Sequence, residues 1–398
     1  MSRLRTAAGA ALLALAMAAC STGGDGGTSQ AGPAAASPTS ATPSQTTDDH
    51  TEHTAPAKLK PLRSGERRVK VAMPEAYTPS APYGTGTDDY RCFVLDPHLT
   101  KGAFLTGLNI LPGTPSVVHH VILFRLPPSS MAAAEDRDAA EPGEGWTCFG
   151  DTGLRAEGET MDDAPWLGAW APGGSEQVMA DDVGVPMARG SKVIMQVHYN
   201  LLAGPKPDVT TAQLRLAPRS KDLAALETVL MPAPVELPCR AGHDGSPLCD
   251  RSTALADVRK RFGPQAGMTA DYLHLLCGEI RAGDVQTCDR TMHRPAVIRA
   301  AAGHMHLLGR SIKIEVDPGT PRARTVLDIK NWDFDNQGST PVKAVKLDPG
   351  DTVRVTCRHD QSLRDLLPAF KGQPDRYVLW GEGTTDEMCL GLLLVTRP

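Results

Sequence analysis

The chain has 398 residues, 41% hydrophobic but only 5% aromatic, with 38 glycines and 33 prolines. That length suits two domains rather than one, and the Gly/Pro content favours short elements joined by turns over long helices. The net charge of −5 carries no basic stripe, which argues against nucleic acid as a partner.

Residues 1–20 read as a secretory signal. Arg3 and Arg5 form its positive end, and Ala7 to Ala19 form an apolar run shorter than the about 20 residues a bilayer span needs. The run ends at Met17-Ala18-Ala19-Cys20, which resembles a bacterial lipoprotein cleavage box with Cys20 as the acylated residue. The expected location is extracytoplasmic, lipid-anchored to the cell membrane at Cys20, with plain secretion as the alternative. Residues 21–60 are Ser, Thr, Gly, Ala and Pro with almost no large apolar side chain, so they read as a disordered tether. His50 and His53 lie among acidic residues there and read as solvated linker.

Eight cysteines remain: Cys92, Cys148, Cys239, Cys249, Cys277, Cys288, Cys357 and Cys389. An even number in an exported chain implies four disulfides, whose pairing spacing alone does not give.

From Val69 onward, short apolar runs alternate with turns. Phe104 to Leu111 and Val117 to Leu126 read as strands around the Pro112–Pro115 turn, Ala132 to Ala140 as a short helix, and Trp166 to Gly174 as a loop. Lys192 to Tyr199 reads as a strand carrying Gln196 and His198 on one face. A first domain spans 61–218 and a second 219–398, which opens with Thr228 to Met231. A Cys-rich insertion, 238–294, has helical periodicity over Thr253 to Phe262. Val297 to Ile314 is strand, turn, strand. Thr325 to Phe334, Val342 to Leu347 and Thr352 to Cys357 are further strands, and Met388 to Val395 closes the sheet. Strands at this spacing with few helices argue for an all-β chain built of β-sandwiches.

The histidines carry the chemistry. His304 and His306, two apart in Gly303-His304-Met305-His306-Leu307-Leu308-Gly309, would point to one face of a strand and could chelate one ion. His119 and His120 would point to opposite faces, and both reach one ion only at a bulge, twist or strand end. His198 or Met388 alone is more often an ordinary core residue. Together they form two sets: His119, His120 and His198 in the first domain, and His304, His306 and Met388 in the second. Imidazole suits copper in both oxidation states, and a thioether favours Cu(I) but rarely serves zinc.

With those residues in view, the chain resembles the copper type II, ascorbate-dependent monooxygenases, the family of peptidylglycine α-hydroxylating monooxygenase and dopamine β-monooxygenase. The resemblance runs from about Asp88 to the C-terminus. It rests on Asp88-Asp89-Tyr90-Arg91-Cys92, on His119-His120 followed by Phe124, on Trp170-Ala171-Pro172-Gly173-Gly174 and on Gln196-Val197-His198-Tyr199-Asn200. It continues in His304-Met305-His306-Leu307-Leu308-Gly309 and Asp386-Glu387-Met388-Cys389. The resemblance implies two copper ions per chain: an electron-transfer ion on His119, His120 and His198, and an oxygen-binding ion on His304, His306 and Met388, where substrate also lies. It implies two tandem, jelly-roll-like β-sandwich domains, ascorbate as electron donor, O2 and a small molecule as substrates, and insertion of oxygen into an aliphatic C–H bond; the chain is expected to be a monomer. Gln196 sits where the family has a polar residue supporting the third histidine. The resemblance also implies disulfides Cys92–Cys148 and Cys357–Cys389, leaving the four insertion cysteines to pair among themselves.

The departures bear on substrate. Peptide-hydroxylating members anchor a substrate carboxylate with an Arg, an Asn and a Tyr where this chain has Ala302, Leu390 and Leu392. Without a cation a buried carboxylate is strongly disfavoured, so a glycine-extended peptide is not expected. Two rivals stand beside this reading: a non-catalytic copper-binding lipoprotein, and a zinc hydrolase using His304 and His306, which Met388 disfavours. His98, His243, His274, His293 and His359 lack ligand spacing and read as loop or surface residues.

Overall fold

The computed structural model describes residues 59–154, 163–164, 166–264, 266–279 and 281–398. The signal sequence, Cys20 and the tether up to residue 58 lie outside the described residues. The chain is an all-β assembly of several packed sheets, with no closed barrel among the described residues. Among the described residues, α-helix is confined to α1 (Met131–Ala139), α2 (Arg251–Phe262) and α3 (Met268–Cys277).

One long sheet forms the spine. Its order is Arg67–Ala72, Thr211–Pro218, Ala103–Leu111, Val183–Met187, Ala224–Pro232, Leu390–Thr396, Ala296–His304 and Thr340–Leu347. A five-stranded sheet covers its first part: Trp146–Thr147, Asp88–Leu95, Lys192–Asn200, Val118–Leu126 and Trp166–Trp170. A four-stranded sheet covers its far part: Val285–Thr291, Thr352–His359, Gly309–Val316 and Arg324–Ile329. Inward-facing side chains make two cores. Leu105, Val121, Val197 and Leu214 belong to one, and Ile298, Ile314, Val355 and Leu393 to the other. The strand Ala224–Pro232 serves both, with Leu226 in the first core and Val229 and Met231 in the second.

Local chemistry explains the elements that carry the site. Val118–Leu126 is buried along nearly its whole length, because one face meets the first core and the other meets Cys92, Trp146 and α1; its sequence is correspondingly apolar apart from the histidines and Arg125. Gly303 lies opposite Gly391 across a strand pair. A Cβ on Gly303 would meet Ile312 Cγ2 at 2.6 Å, and one on Gly391 would meet Val355 Cγ2 at 2.8 Å. The two glycines therefore let the four-stranded sheet close against the His304 end of the spine.

Cys92–Cys148, Cys239–Cys249, Cys277–Cys288 and Cys357–Cys389 are bonded. Four disulfides fit an oxidising, extracytoplasmic compartment. Three local readings are corrected. Trp166–Trp170 is a strand on the edge beside Val118–Leu126, not a loop. The strand expected over Thr325–Phe334 stops at Ile329, which frees Phe334 to turn toward the histidines. Leu390–Thr396 is an interior strand between Ala224–Pro232 and Ala296–His304 rather than a closing edge.

Candidate metal centres

The first centre forms where Val118–Leu126 pairs with Lys192–Asn200. His198 lies directly across from His120, then the register slips, so that Tyr199 faces Val118 and His119 has no residue opposite. This bulge removes the alternation that would send His119 to the other face. The result is convergence of three nitrogens. His119 Nδ1 lies 3.1 Å from both His120 Nδ1 and His198 Nδ1, which lie 3.2 Å from each other. A point about 2.0 Å from all three, the usual metal–imidazole distance, lies just off their plane. The arrangement fits one ion.

The ring orientations are held from behind. His198 Nε2 lies 2.9 Å from Asp88 Oδ1, so Nε2 carries the proton, donates to the carboxylate and leaves the Nδ1 lone pair for an ion. Tyr90 stacks on the His198 ring at 4.0 Å, and Phe334 stacks on His119 at 4.6 Å. Burial pushes His119 and His120 well below the ordinary imidazole range, and the neighbouring His198 adds to this. Burial also lowers His198 against the opposing pull of Asp88. Burial pushes the Asp88 carboxyl up, but hydrogen bonds from His198 and Thr384 outweigh it and hold Asp88 well below the carboxylate range. The site thus holds neutral ligands beside an ionised support, the state metal binding requires. Asp88→Asn should weaken the first site about 10- to 100-fold, read by chelator competition, with the second site unchanged.

The second centre departs from the expected strand pair. The strand ends at His304, opposite Leu390, and His306 lies in the turn beyond it. The two histidines are therefore not brought together by strand periodicity. Glu387 instead fixes the turn that carries His306: its buried carboxylate accepts the backbone N–H groups of His306, Leu308 and Met388. His304 Nδ1 is 2.7 Å from Gln337 Oε1 and His306 Nδ1 is 3.3 Å from the Asp386 carbonyl. Both Nδ1 atoms donate to oxygen, so both rings keep their lone pair on Nε2. His306 Nε2 is buried and without a partner among the described atoms, an orphan that an ion would satisfy. Burial, then the nearby His306, lowers His304 to about 3. Met388 and His304 line one cavity. The centres thus differ in which nitrogen they present, Nδ1 in the first and Nε2 in the second.

The centres adjoin. The His120 and His304 rings meet edge to face at 5.8 Å, and Phe334, stacked on His119, reaches His306 at 6.4 Å. Asp88 accepts hydrogen bonds from Thr384 N and Oγ1 at 3.1 and 2.7 Å, and Tyr90 donates to the Glu382 carbonyl at 2.7 Å. The segment that carries Met388 is thereby tied to the support of the first centre.

A cavity of about 800 Å³ opens beside both, lined by His120, His304 and Met388 and by Ala302, Leu390 and Leu392. Gln196 also lines it, fully buried, but donates to the Cys148 and Asp151 carbonyls rather than to a histidine. Burial, then the charges of Asp151 and Asp386, pushes the Glu382 carboxyl up to about 8. Its pKa exceeds the unfolded value, so its contribution to stability is fully present below about pH 4.5 and is lost as pH rises toward 8. Glu382→Gln should remove a loss of up to about 1.4 kcal/mol per pH unit between pH 5 and 8, measured by denaturant titration of metal-free protein at each pH.

Two histidines read as loop or surface residues are structural. His359 is buried, with Nε2 3.4 Å from Glu387 Oε2 and 3.3 Å from the Met388 carbonyl. His274 lies in α3 and meets Glu236 at 2.6 Å. Sequence reasoning assigned no role to Asp88, Gln337, Phe334, Glu382 or Glu387; Asp88 and Glu387 stand inside the quoted motifs, which was the available signal.

No protein-family model matches the chain, and no curated protein matches it. Among solved structures it is similar to the VP2 subviral particle of infectious bursal disease virus, at 9% identity over 87% of this chain and 76% of that one, with a TM-score of 0.20. It is similar also to recombinant pro-11S globulin of pumpkin, at 10% identity over 86% of each chain, with a TM-score of 0.16. At such scores these likenesses carry no argument.

Proposed function

We propose that the chain is an extracytoplasmic copper monooxygenase, held to a membrane by a lipid on Cys20, that hydroxylates an aliphatic C–H bond of a small molecule. The balance is C–H plus O2 plus two electrons and two protons, giving C–OH and water, with ascorbate as the two-electron donor. The observation that carries the reading is the pairing of two dissimilar ligand sets beside one cavity: three Nδ1 atoms within 3.2 Å of one another, and His304 and Met388 lining the space that His120 also borders, with the His306 ring 5.2 Å from that of His304.

His119, His120 and His198 would hold one ion, and His304, His306 and Met388 the other. Bound copper would supply the one-electron chemistry that ascorbate and O2 require. The thioether disfavours the zinc-hydrolase alternative, because zinc rarely takes methionine. The protein's own contribution is preorganisation. Asp88 fixes the His198 tautomer, Gln337 that of His304, and Glu387 the turn that carries His306. Leu390, Leu392 and Ala302 give the cavity beside these residues an apolar wall.

Oxygen uptake by copper-loaded protein with ascorbate tests this. Wild type should consume oxygen above the rate of free copper, and His198→Ala and Met388→Ala should each fall to that rate. A wild type that holds two ions and shows no uptake above free copper favours the copper-binding lipoprotein.

A further inference from the structure

The insertion 238–294 is the part of the chain that the copper reading leaves without a role, and it stands against the cavity. α3 contributes Met268, Thr269 and Tyr272, one face of a helix, to the lining. Met268 and Tyr272 are 54% and 43% exposed, large side chains at an opening that a ligand would cover. The mounting is firm. Ala270 and Leu273 are buried in the second core, Cys277 is bonded to Cys288, and His274 and Arg251 both bind Glu236. Arg261 of α2 holds Asp386, two residues before Met388, through two hydrogen bonds of 2.9 and 2.7 Å. Phe262 meets Phe149, another lining residue, edge to face.

Much of the remaining lining is apolar. Leu230 and Leu392 are cross-strand partners, Leu394 follows on the same sheet, and Ile122, Phe124 and Trp166 line another side. Among the described residues the lining contains no Lys or Arg. A carboxylate ligand would be stripped of water with nothing to pair it. Among the described residues the acidic groups at the lining are Asp151, whose Oδ1 accepts the Gly153 N–H at 2.7 Å, and Glu382. Burial and neighbouring carboxylates keep Glu382 protonated near neutrality, so it can donate a hydrogen bond to a hydroxyl or carbonyl.

We propose that this cavity is the chamber for an uncharged, largely apolar small molecule, and that α3 of the Cys-rich insertion is the wall that determines what fits. The proposal rests on the monooxygenase reading for what happens to that molecule, but not for its binding.

The test uses metal-free protein titrated calorimetrically with three probes of one shape: 2-naphthalenemethanol, 2-naphthoate and 2-naphthylmethylammonium. The alcohol should bind, with both charged probes weaker by at least about tenfold. Leu392→Arg should abolish alcohol binding and gain naphthoate binding. Met268→Ala combined with Tyr272→Ala, at exposed positions that folding does not need, should weaken the alcohol about five- to tenfold with copper content unchanged. A charged probe that binds as tightly as the alcohol, no alcohol binding, or binding indifferent to the α3 variant overturns the proposal. Copper content and ascorbate-driven oxygen uptake, measured on the same preparations, separate the two claims. Alcohol binding without oxygen uptake contradicts the oxygenase alone, and two bound ions without alcohol binding contradict the chamber alone.

Discussion

Copper reconstitution should load two ions per chain into the wild type and one into His198→Ala. His198 supplies one of three Nδ1 donors that lie 3.1 to 3.2 Å apart, and two imidazoles alone do not hold an ion through gel filtration against a chelator. The second centre takes no donor from this residue, so its ion should remain. The substitution also leaves Asp88, a buried and ionised carboxylate, without the partner at 2.9 Å. Removing a neutral donor from a buried charged acceptor costs about 1.5–3 kcal/mol. Thr384, which donates to the same oxygen twice, keeps the loss toward the lower end. Metal analysis and urea unfolding of the metal-free variant check both parts. Two retained ions, or unchanged stability, contradict the assignment.

Glu387→Ala should be the most damaging change at the second centre. Its carboxylate accepts three backbone N–H groups and lies against His359, all in the interior. Orphaning buried donors costs about 1–3 kcal/mol each, and a cavity of carboxylate size adds to that, so a loss of at least about 3 kcal/mol is expected. The functional loss should be selective. Without Glu387 the turn carrying His306 and the segment carrying Met388 lose their common staple, so the second ion should go and the first remain. The midpoint of denaturant unfolding and the copper count measure this. A loss below about 1 kcal/mol with both ions retained would show that the disulfide Cys357–Cys389 alone positions Met388.

What was legible in the sequence followed from periodicity and from residue chemistry. The all-β class came from short apolar runs between turns, and strands such as Val118–Leu126 and Lys192–Asn200 lie within a residue of their expected limits. The need for a bulge was readable from His119-His120, since two adjacent strand residues cannot share a face, but which residue would be squeezed out was not. His306 misled because spacing of two suggests a strand, while the chain turns after His304 under the pull of a carboxylate 81 residues away. Long-range hydrogen bonds of that kind, Asp88 with Thr384 among them, leave no local periodic signal. Phe334 reads as a strand residue because Trp332 and Phe334 alternate with Asp333 and Asp335, and its stacking on His119 is likewise a tertiary fact. The position of the insertion was readable from its cysteines; that α3 would line the cavity was not.

The measurement that bears most directly on two dissimilar copper centres is X-ray absorption of the fully Cu(I)-loaded protein. The wild type should show a sulfur scatterer equivalent to one thioether per two coppers on a background of imidazole nitrogen, and Met388→Ala should lose that sulfur while His198→Ala keeps it. A wild-type spectrum of nitrogen and oxygen ligands only, unchanged in Met388→Ala, would contradict the account.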